Sequence, residues 1–147
     1  MQKAVLLDTS VLIHDPMSLT SYPDEVEVLI PIFVIMELDV LKDTHKKEKS
    51  HVSHLARTAS NLILKLLEEG SIRIVSHEED LNIKSLDLAT EIRYVDLLIV
   101  QTAVTMKESY DLTLVSKDIN LRILTQSIGI NSEDYTSDAS NDTLDKI

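Results

Sequence analysis

A chain of 147 residues is sized for one domain with a core of ordinary volume, and 44% apolar with 27% charged side chains is the balance of a folded globular protein. The lack of cysteine excludes disulfides and thiolate metal sites and makes a reducing cytoplasm the default compartment; no apolar run approaches membrane-spanning length, and no basic-then-apolar leader opens the chain. A formal charge of −11 excludes a protein that grips nucleic acid over its whole surface, and one phenylalanine with four tyrosines leaves few platforms for stacked bases.

Ala4-Val5-Leu6-Leu7 is four apolar residues in a row, the pattern of a strand buried on both faces in a parallel sheet, and it stops at Asp8-Thr9-Ser10. His14-Asp15-Pro16 breaks the pattern, and 17–22 is a candidate short helix. Val26 to Ile30 is a second apolar run. Pro31 after it suits the first helical position, where its missing N–H has no helical partner. Ile32, Ile35, Leu38, Asp39 and Leu41 mark the inward stripe of the helix that follows. A polar connection, Asp43 to Ser50, leads to a long helix in which Val52, Leu55, Ala56, Ala59, Leu62, Ile63, Leu66 and Leu67 recur at steps of three and four, closed by Gly70. Ile72 to Val75 is a short strand, His77 to Leu86 has no clear period, and Val95 to Ser109 reads as a helix with Leu98, Ile99, Thr102, Ala103 and Met106 inward. Leu112 to Val115 is another strand, Ser116-Lys117-Asp118 opens a helix ending near Ser127, and Ile128 to Ile130 around Gly129 is a candidate edge strand. From Glu133 onward stand five acids and one lysine, so 136–147 reads as an acidic tail or linker behind a domain of 1–135. Strands alternating with helices predict the α/β class: a three-layer α/β/α domain with a mostly parallel central sheet.

Four acids stand where packing alone would not place them. Asp8 ends the first strand, Glu37 interrupts Ile32-Phe33-Val34-Ile35-Met36, Asp96 lies between Val95 and Leu97-Leu98-Ile99-Val100, and Asp118 follows Leu114-Val115 by two residues. An ionised carboxylate in apolar surroundings is unfavourable by several kcal/mol, on the order given for buried ions, unless a counter-charge compensates. Asp8, Asp96 and Asp118 have capping as an alternative role, whereas Glu37 inside a helix has no capping task and its alternative is a polar stripe facing solvent. Carboxylate oxygens at the carboxyl end of parallel strands are suited to hard divalent cations. The hydroxyls of Thr9, Ser10 and Ser116, and Asn120, are candidates to support these acids or a phosphate, with turn and cap bonding as the alternative. Positive charge gathers in one island: Lys42, Lys46, Lys47, Lys49 and Arg57 stand against Asp43 and Glu48, with three of the five histidines. It reads either as a solvated loop and helix face or as a phosphate-docking patch.

With these residues in hand, the chain resembles a PIN domain, the PilT N-terminus-like nuclease family. Leu7-Asp8-Thr9-Ser10-Val11-Leu12, Pro31-Ile32 through Glu37-Leu38-Asp39, Asp96-Leu97-Leu98-Ile99-Val100 and Leu114-Val115-Ser116-Lys117-Asp118 resemble its four motifs in order. Ile13-His14-Asp15-Pro16, Lys117 through Arg122 and Glu133-Asp134-Tyr135 are similar to the branch that precedes a PhoH-like ATPase. That branch carries Asn-Asp-x-Arg-Ile-Leu at the third acid, and here the asparagine and arginine are absent. The only glycines are Gly70 and Gly129, so no phosphate-binding glycine loop of an ATPase lies in this chain.

The resemblance implies a Mg2+- or Mn2+-dependent endoribonuclease acting on single-stranded RNA. Asp8 and Asp118 are then the most direct metal ligands, Asp96 binds a second ion or acts through water, and Glu37 orients the attacking water. Lys46, Lys47, Lys49 and Arg57 are the expected RNA contacts. A C-terminal PhoH-like ATPase domain or regulatory partner and self-association are further expectations, with no membrane contact. The alternative is a catalytically weak PIN-fold interaction or regulatory domain of a larger PhoH-like ATPase protein. A phospho-acceptor receiver domain would need a tandem acid pair where Asp8-Thr9 stands, and a two-aspartate phosphatase an Asp-x-Asp where Ser10 stands.

Overall fold

The apolar run from Ala4 to Leu7 has no polar face to turn to water, and it forms the middle of a sheet. The computed structural model describes residues 1–43, 50–77 and 94–135. Among these, five strands occur: β1 (Gln2–Leu7), β2 (Glu27–Pro31), β3 (Ile72–Val75), β4 (Tyr110–Val115) and β5 (Asn131–Glu133). The helices are α1 (Thr9–His14), α2 (Ile32–Lys42), α3 (Ser50–Glu68), α4 (Tyr94–Lys107) and α5 (Ile119–Ser127), with a 3₁₀ turn at Pro16–Thr20. The strand order is β3-β2-β1-β4-β5 and every pairing is parallel, with Leu6 opposite Leu29 on one side and Leu114 on the other.

From β1 the chain steps through β2 to β3 in one direction, and from β4 to β5 in the other. Right-handed crossovers then place α1, α2 and α3 on one face and α4 and α5 on the opposite face, a three-layer α/β/α fold. The packing agrees: α2 lies on α3, α1 touches α3, and α4 packs on β4 and α5. The direction reverses between β1 and β4, so their carboxyl ends border the crevice where open α/β sheets bind ligands. Leu6, Leu7, Leu29, Ile30, Leu114 and Val115 are fully or almost fully buried, an aliphatic core as the scarcity of aromatics required.

Several expectations change in detail. Thr9 to His14 forms a helix of its own, capped by the Asp8 side chain, with Val11 and Leu12 buried. Pro31 closes β2 and sits at the N-cap of α2 with φ −60° and ψ 140°, one residue before the first helical position. The inward stripe of α2 is Val34 and Leu38, with Ile35 and Leu41 half-buried; Ile32 and Asp39 turn outward, and Asp39 pairs with Lys42 at 2.7 Å. This helix is apolar on most sides, so its own period gave no direction and the packing of α3 decides it. The edge strand is Asn131–Glu133 and lies just past Ile128 to Ile130, because Gly129, at φ 83°, turns the chain and Ile130 drops into the core. Gly70 takes φ 75° behind α3, the cap conformation that glycine adopts without strain. Most of the connection Asp43 to Ser50, the stretch after His77 and the tail 136–147 lie outside the described residues.

Leu38 is fully buried and Val40 is 72% exposed on the same helix. Leu38→Ala is therefore expected to destabilise by about 2–5 kcal/mol, and Val40→Ala to stay within about 0.5 kcal/mol of wild type, as measured by urea denaturation. Equal effects would contradict the burial described for α2.

Candidate active site

Asp8 follows β1 directly, and its backbone N–H still bonds to the carbonyl of Val115 at the end of β4, 3.1 Å. Its side chain is 6% exposed and accepts three hydrogen bonds. Thr9 N–H donates to Oδ1 at 2.8 Å, the N-cap of α1, while the hydroxyls of Ser10 and Ser116 both donate to Oδ2 at 2.8 Å. The direction of the serine bonds is fixed from outside. Lys117 N–H donates to Ser10 Oγ at 3.0 Å and Asp118 N–H donates to Ser116 Oγ at 2.9 Å. A hydroxyl has one proton. With their lone pairs engaged by backbone N–H groups, the two serines turn their protons to Asp8.

Burial pushes the Asp8 carboxyl above its ordinary value of 3.8, against the pull of the bonds from Ser116, Ser10 and Thr9, and the neighbouring Asp118 adds to the rise. Glu37 on α2 accepts a hydrogen bond on Oε1 from the Thr9 hydroxyl at 2.6 Å. Its carboxyl is raised above 4.5 by burial first, then by the charges of Asp8 and Asp96, with the Thr9 bond opposing. Asp96 is the third residue of α4, which touches α2. Asp118 caps α5, accepting Asn120 and Leu121 N–H on Oδ1 at 2.9 and 3.4 Å, so the cap leaves Oδ2 unused.

The four acids thus form an electrostatic chain at one sheet edge, Asp118 to Asp8 to Glu37 to Asp96. The ion pairs among the described residues are Lys42–Asp39 and Lys117–Asp134, and neither engages Asp8, Glu37 or Asp118. Among the described residues no three acid or histidine side chains are already closed around a single ion position. The donor set is nevertheless of the kind that suits a hard divalent cation, all oxygen and buried or half-buried, with no described ion pair at Asp8, Glu37 or Asp118.

Of the supporting residues, Thr9, Ser10 and Ser116 direct their protons to Glu37 and Asp8. Asn120 contributes its backbone N–H to Asp118 and its side chain is exposed. Arg57 is exposed on α3, whereas Lys46, Lys47 and Lys49 lie outside the described residues. The bonds from Lys117 N–H to Ser10 and from the Ser116 hydroxyl to Asp8 were invisible in sequence, because the partners lie 107 and 108 residues apart.

A parallel sheet in a three-layer α/β/α fold, with carboxylates at the strand ends beside its switch point, defines a class of α/β domains that place their functional groups at that edge. Within that class the match is specific: residues 5–136 fit the model of the PIN domain, and this chain belongs to the PIN domain family. PIN domains are in general nucleases and in general use divalent metal ions. Protein PhoH2 of Thermobispora bispora is 30% identical over 145 residues, covering 90% of this chain and 32% of that protein. Protein PhoH2 of Bacillus subtilis is 30% identical over 160 residues, 94% of this chain and 34% of that protein. Protein PhoH2 of Mycolicibacterium smegmatis is 26% identical over 147 residues. This chain spans about a third of the length of these relatives. A domain of a protein of unknown function from Methanocaldococcus jannaschii superposes with a TM-score of 0.62 at 19% identity over 92% of each chain, which supports the fold.

Asp8 and Glu37 hold their protons more tightly folded than unfolded, so they favour the folded state fully below their ordinary values of 3.8 and 4.5, and that contribution disappears as pH rises through the raised values. Glu37→Gln keeps an acceptor for Thr9 and removes the charge. It is expected to raise the melting temperature of metal-free protein at neutral pH, by about 2–4 °C for each kcal/mol regained, and to flatten the loss of stability above pH 4.5. A lower melting temperature at neutral pH would contradict the electrostatic chain.

Proposed function

We propose that this domain is a divalent-cation-dependent endoribonuclease that hydrolyses phosphodiester bonds of single-stranded RNA at a four-carboxylate site, Asp8, Glu37, Asp96 and Asp118. The observation that carries this reading is the line of mutually repelling carboxylates at the switch point of a PIN fold, two of them with raised proton affinity. Asp8 and Asp118 are the direct holders of Mg2+ or Mn2+, with Asp96 and Glu37 completing the set. A bound divalent cation supplies Lewis acidity at the phosphate and a lowered pKa for water.

The remaining chemistry belongs to the chain. Ser10 and Ser116 orient Asp8 and favour its ionised form, each donating to Oδ2 at 2.8 Å while accepting the N–H of Lys117 or Asp118. Asp118 offers Oδ2 while Oδ1 stays locked in the α5 cap. Glu37, held by Thr9 and with its proton affinity raised by burial and then by Asp8 and Asp96, is suited to orient the attacking water and accept its proton. Hydrolysis then forms one bond from that water's oxygen to phosphorus and breaks the bond to the leaving ribose oxygen.

Exposed Arg57 and the lysines Lys46, Lys47 and Lys49 contact the RNA backbone, and a PhoH-like ATPase domain, self-association and a cytoplasmic setting complete the reading. No helix among the described residues is long and apolar enough to cross a membrane. A second reading, an interaction or regulatory PIN domain with weak catalysis, is favoured by the ligand set that is not closed and by the Val95-Asp96-Leu97-Leu98 setting of the third acid.

Incubation of a single-stranded RNA with Mn2+ separates the two readings. Wild-type protein is expected to cleave it only with the ion, and Asp8→Asn and Asp118→Asn, folded by circular dichroism, to lose at least about 100-fold in rate, as the removal of several kcal/mol of transition-state stabilisation requires. Cleavage by those variants at the wild-type rate would sink the assignment; metal binding without turnover in the wild type would favour the regulatory reading.

A further inference from the structure

The three stretches that resemble PhoH-associated PIN domains meet beside the acids. Tyr135 is buried, its hydroxyl donates to Asp15 Oδ2 at 2.8 Å, and its ring meets His14 edge-on at 6.2 Å between centroids. Lys117 Nζ donates to the carbonyl of Tyr135 at 2.8 Å and pairs with Asp134 Oδ1 at 3.1 Å. Tyr135 N–H donates to the same Asp134 oxygen at 2.8 Å. Arg122 is anchored on the adjoining turn, its N–H on the Asp118 carbonyl and its own carbonyl on the Ser132 hydroxyl. Its side-chain Nε is screened from water without a hydrogen-bond partner.

A polyanion reaching four acids on a chain of net charge −11 needs local positive charge to hold it. Lys117 and Arg122 are built into the structure that carries the site: Lys117 N–H fixes Ser10, and Arg122 N–H bonds to Asp118. Burial disfavours the ionised Asp134, yet the Lys117 ammonium, the Tyr135 N–H and the Arg122 guanidinium hold its carboxyl below the ordinary range. A side-chain anion with about two-fifths of its surface open is thus paired with Lys117 and lies in the field of Arg122, whose guanidinium has an unpartnered Nε. Ammonium and guanidinium are phosphate-recognising groups, and one ammonium donor of Lys117 remains beyond the two bonds described.

We propose that Lys117 and Arg122 form a subsite for one backbone phosphate of single-stranded RNA, and that the Asp134 carboxylate fills this subsite until the strand displaces it. The exchange replaces one carboxylate by one phosphodiester of equal charge and offers an acceptor to Arg122 Nε. Tyr135 need not move, since its ring and hydroxyl are held by His14 and Asp15. The inference rests on the ribonuclease reading above.

The test measures binding of a fluorescent single-stranded oligouridylate to the full chain in EDTA, by anisotropy across a salt series, so that binding is read without cleavage. Asp134→Asn keeps an oxygen for Tyr135 N–H and is expected to bind about threefold to tenfold tighter at low salt, with a slope of log K against log salt steeper by about 0.7, one additional single-strand phosphate contact. Asp111→Asn, an exposed acid near the opposite end of β4, serves as the control for net charge and is expected to change binding little. Lys117→Met or Arg122→Met in the Asp134→Asn background is expected to erase the gain, with melting curves showing that each is folded. Asp134→Asn binding no tighter than Asp111→Asn, or a gain that survives loss of either cation, overturns the subsite while leaving metal-dependent cleavage by wild type intact. RNA binding by no variant, together with no cleavage by wild type, overturns both.

Discussion

Asp8 is a buried carboxylate held by three donors, and the organisation of the switch point depends on that hold. One donor is the first N–H of α1, which makes the acid the cap of its own helix. The other two are serine hydroxyls from opposite ends of the chain, Ser10 after β1 and Ser116 after β4. Because Lys117 and Asp118 N–H groups donate to those serines, the turn after β4 favours the orientation in which both hydroxyl protons face Asp8. The same turn then places Asp118 at the cap of α5. One network thereby joins the two central strands and positions two of the four acids.

That network stabilises the ionised form of Asp8 without fully offsetting its burial, and its nearest charged neighbours are other acids. Glu37 carries the same imbalance in milder form on α2. An arrangement that raises the proton affinity of two carboxylates, with no described cation paired to them, is poor design for stability alone. It is an arrangement a hard cation would relieve, in keeping with the divalent metal ions that PIN domains in general use.

Much of this was legible in the sequence because the signals were apolar runs and their interruptions. β1 and β2 held unbroken aliphatic runs, β3 and β4 held short, mostly aliphatic runs broken by one polar residue each (Arg73, Thr113), and α3 repeated at helical spacing over about five turns. The four acids stood out by breaking such runs. What stayed hidden had physical reasons. Asn131-Ser132-Glu133 is polar, since β5 is an edge strand paired only through β4, so no hydrophobic pattern marked it. The six residues of α1 are too few to display a period. The face of α2 was ambiguous because Ile32, Val34, Met36 and Val40 are all apolar while only Val34 among them is buried. The clasp of Tyr135 on Asp15 and Lys117 joins residues 120 and 18 positions apart, and spacing carries no trace of such contacts.

The central claim is that Asp8 and Glu37, whose proton affinity burial raises, are gathered at the switch point to hold a divalent cation. Titration calorimetry of the metal-free protein with Mn2+, at several pH values and in buffers of different ionisation enthalpy, tests it most directly, since a cation that takes up these carboxylates must displace whatever protons they hold. The account predicts saturable binding with proton release that shrinks in Glu37→Gln and vanishes, with the binding, in Asp8→Asn. Binding without proton release, or binding of equal strength in Asp8→Asn, would contradict it.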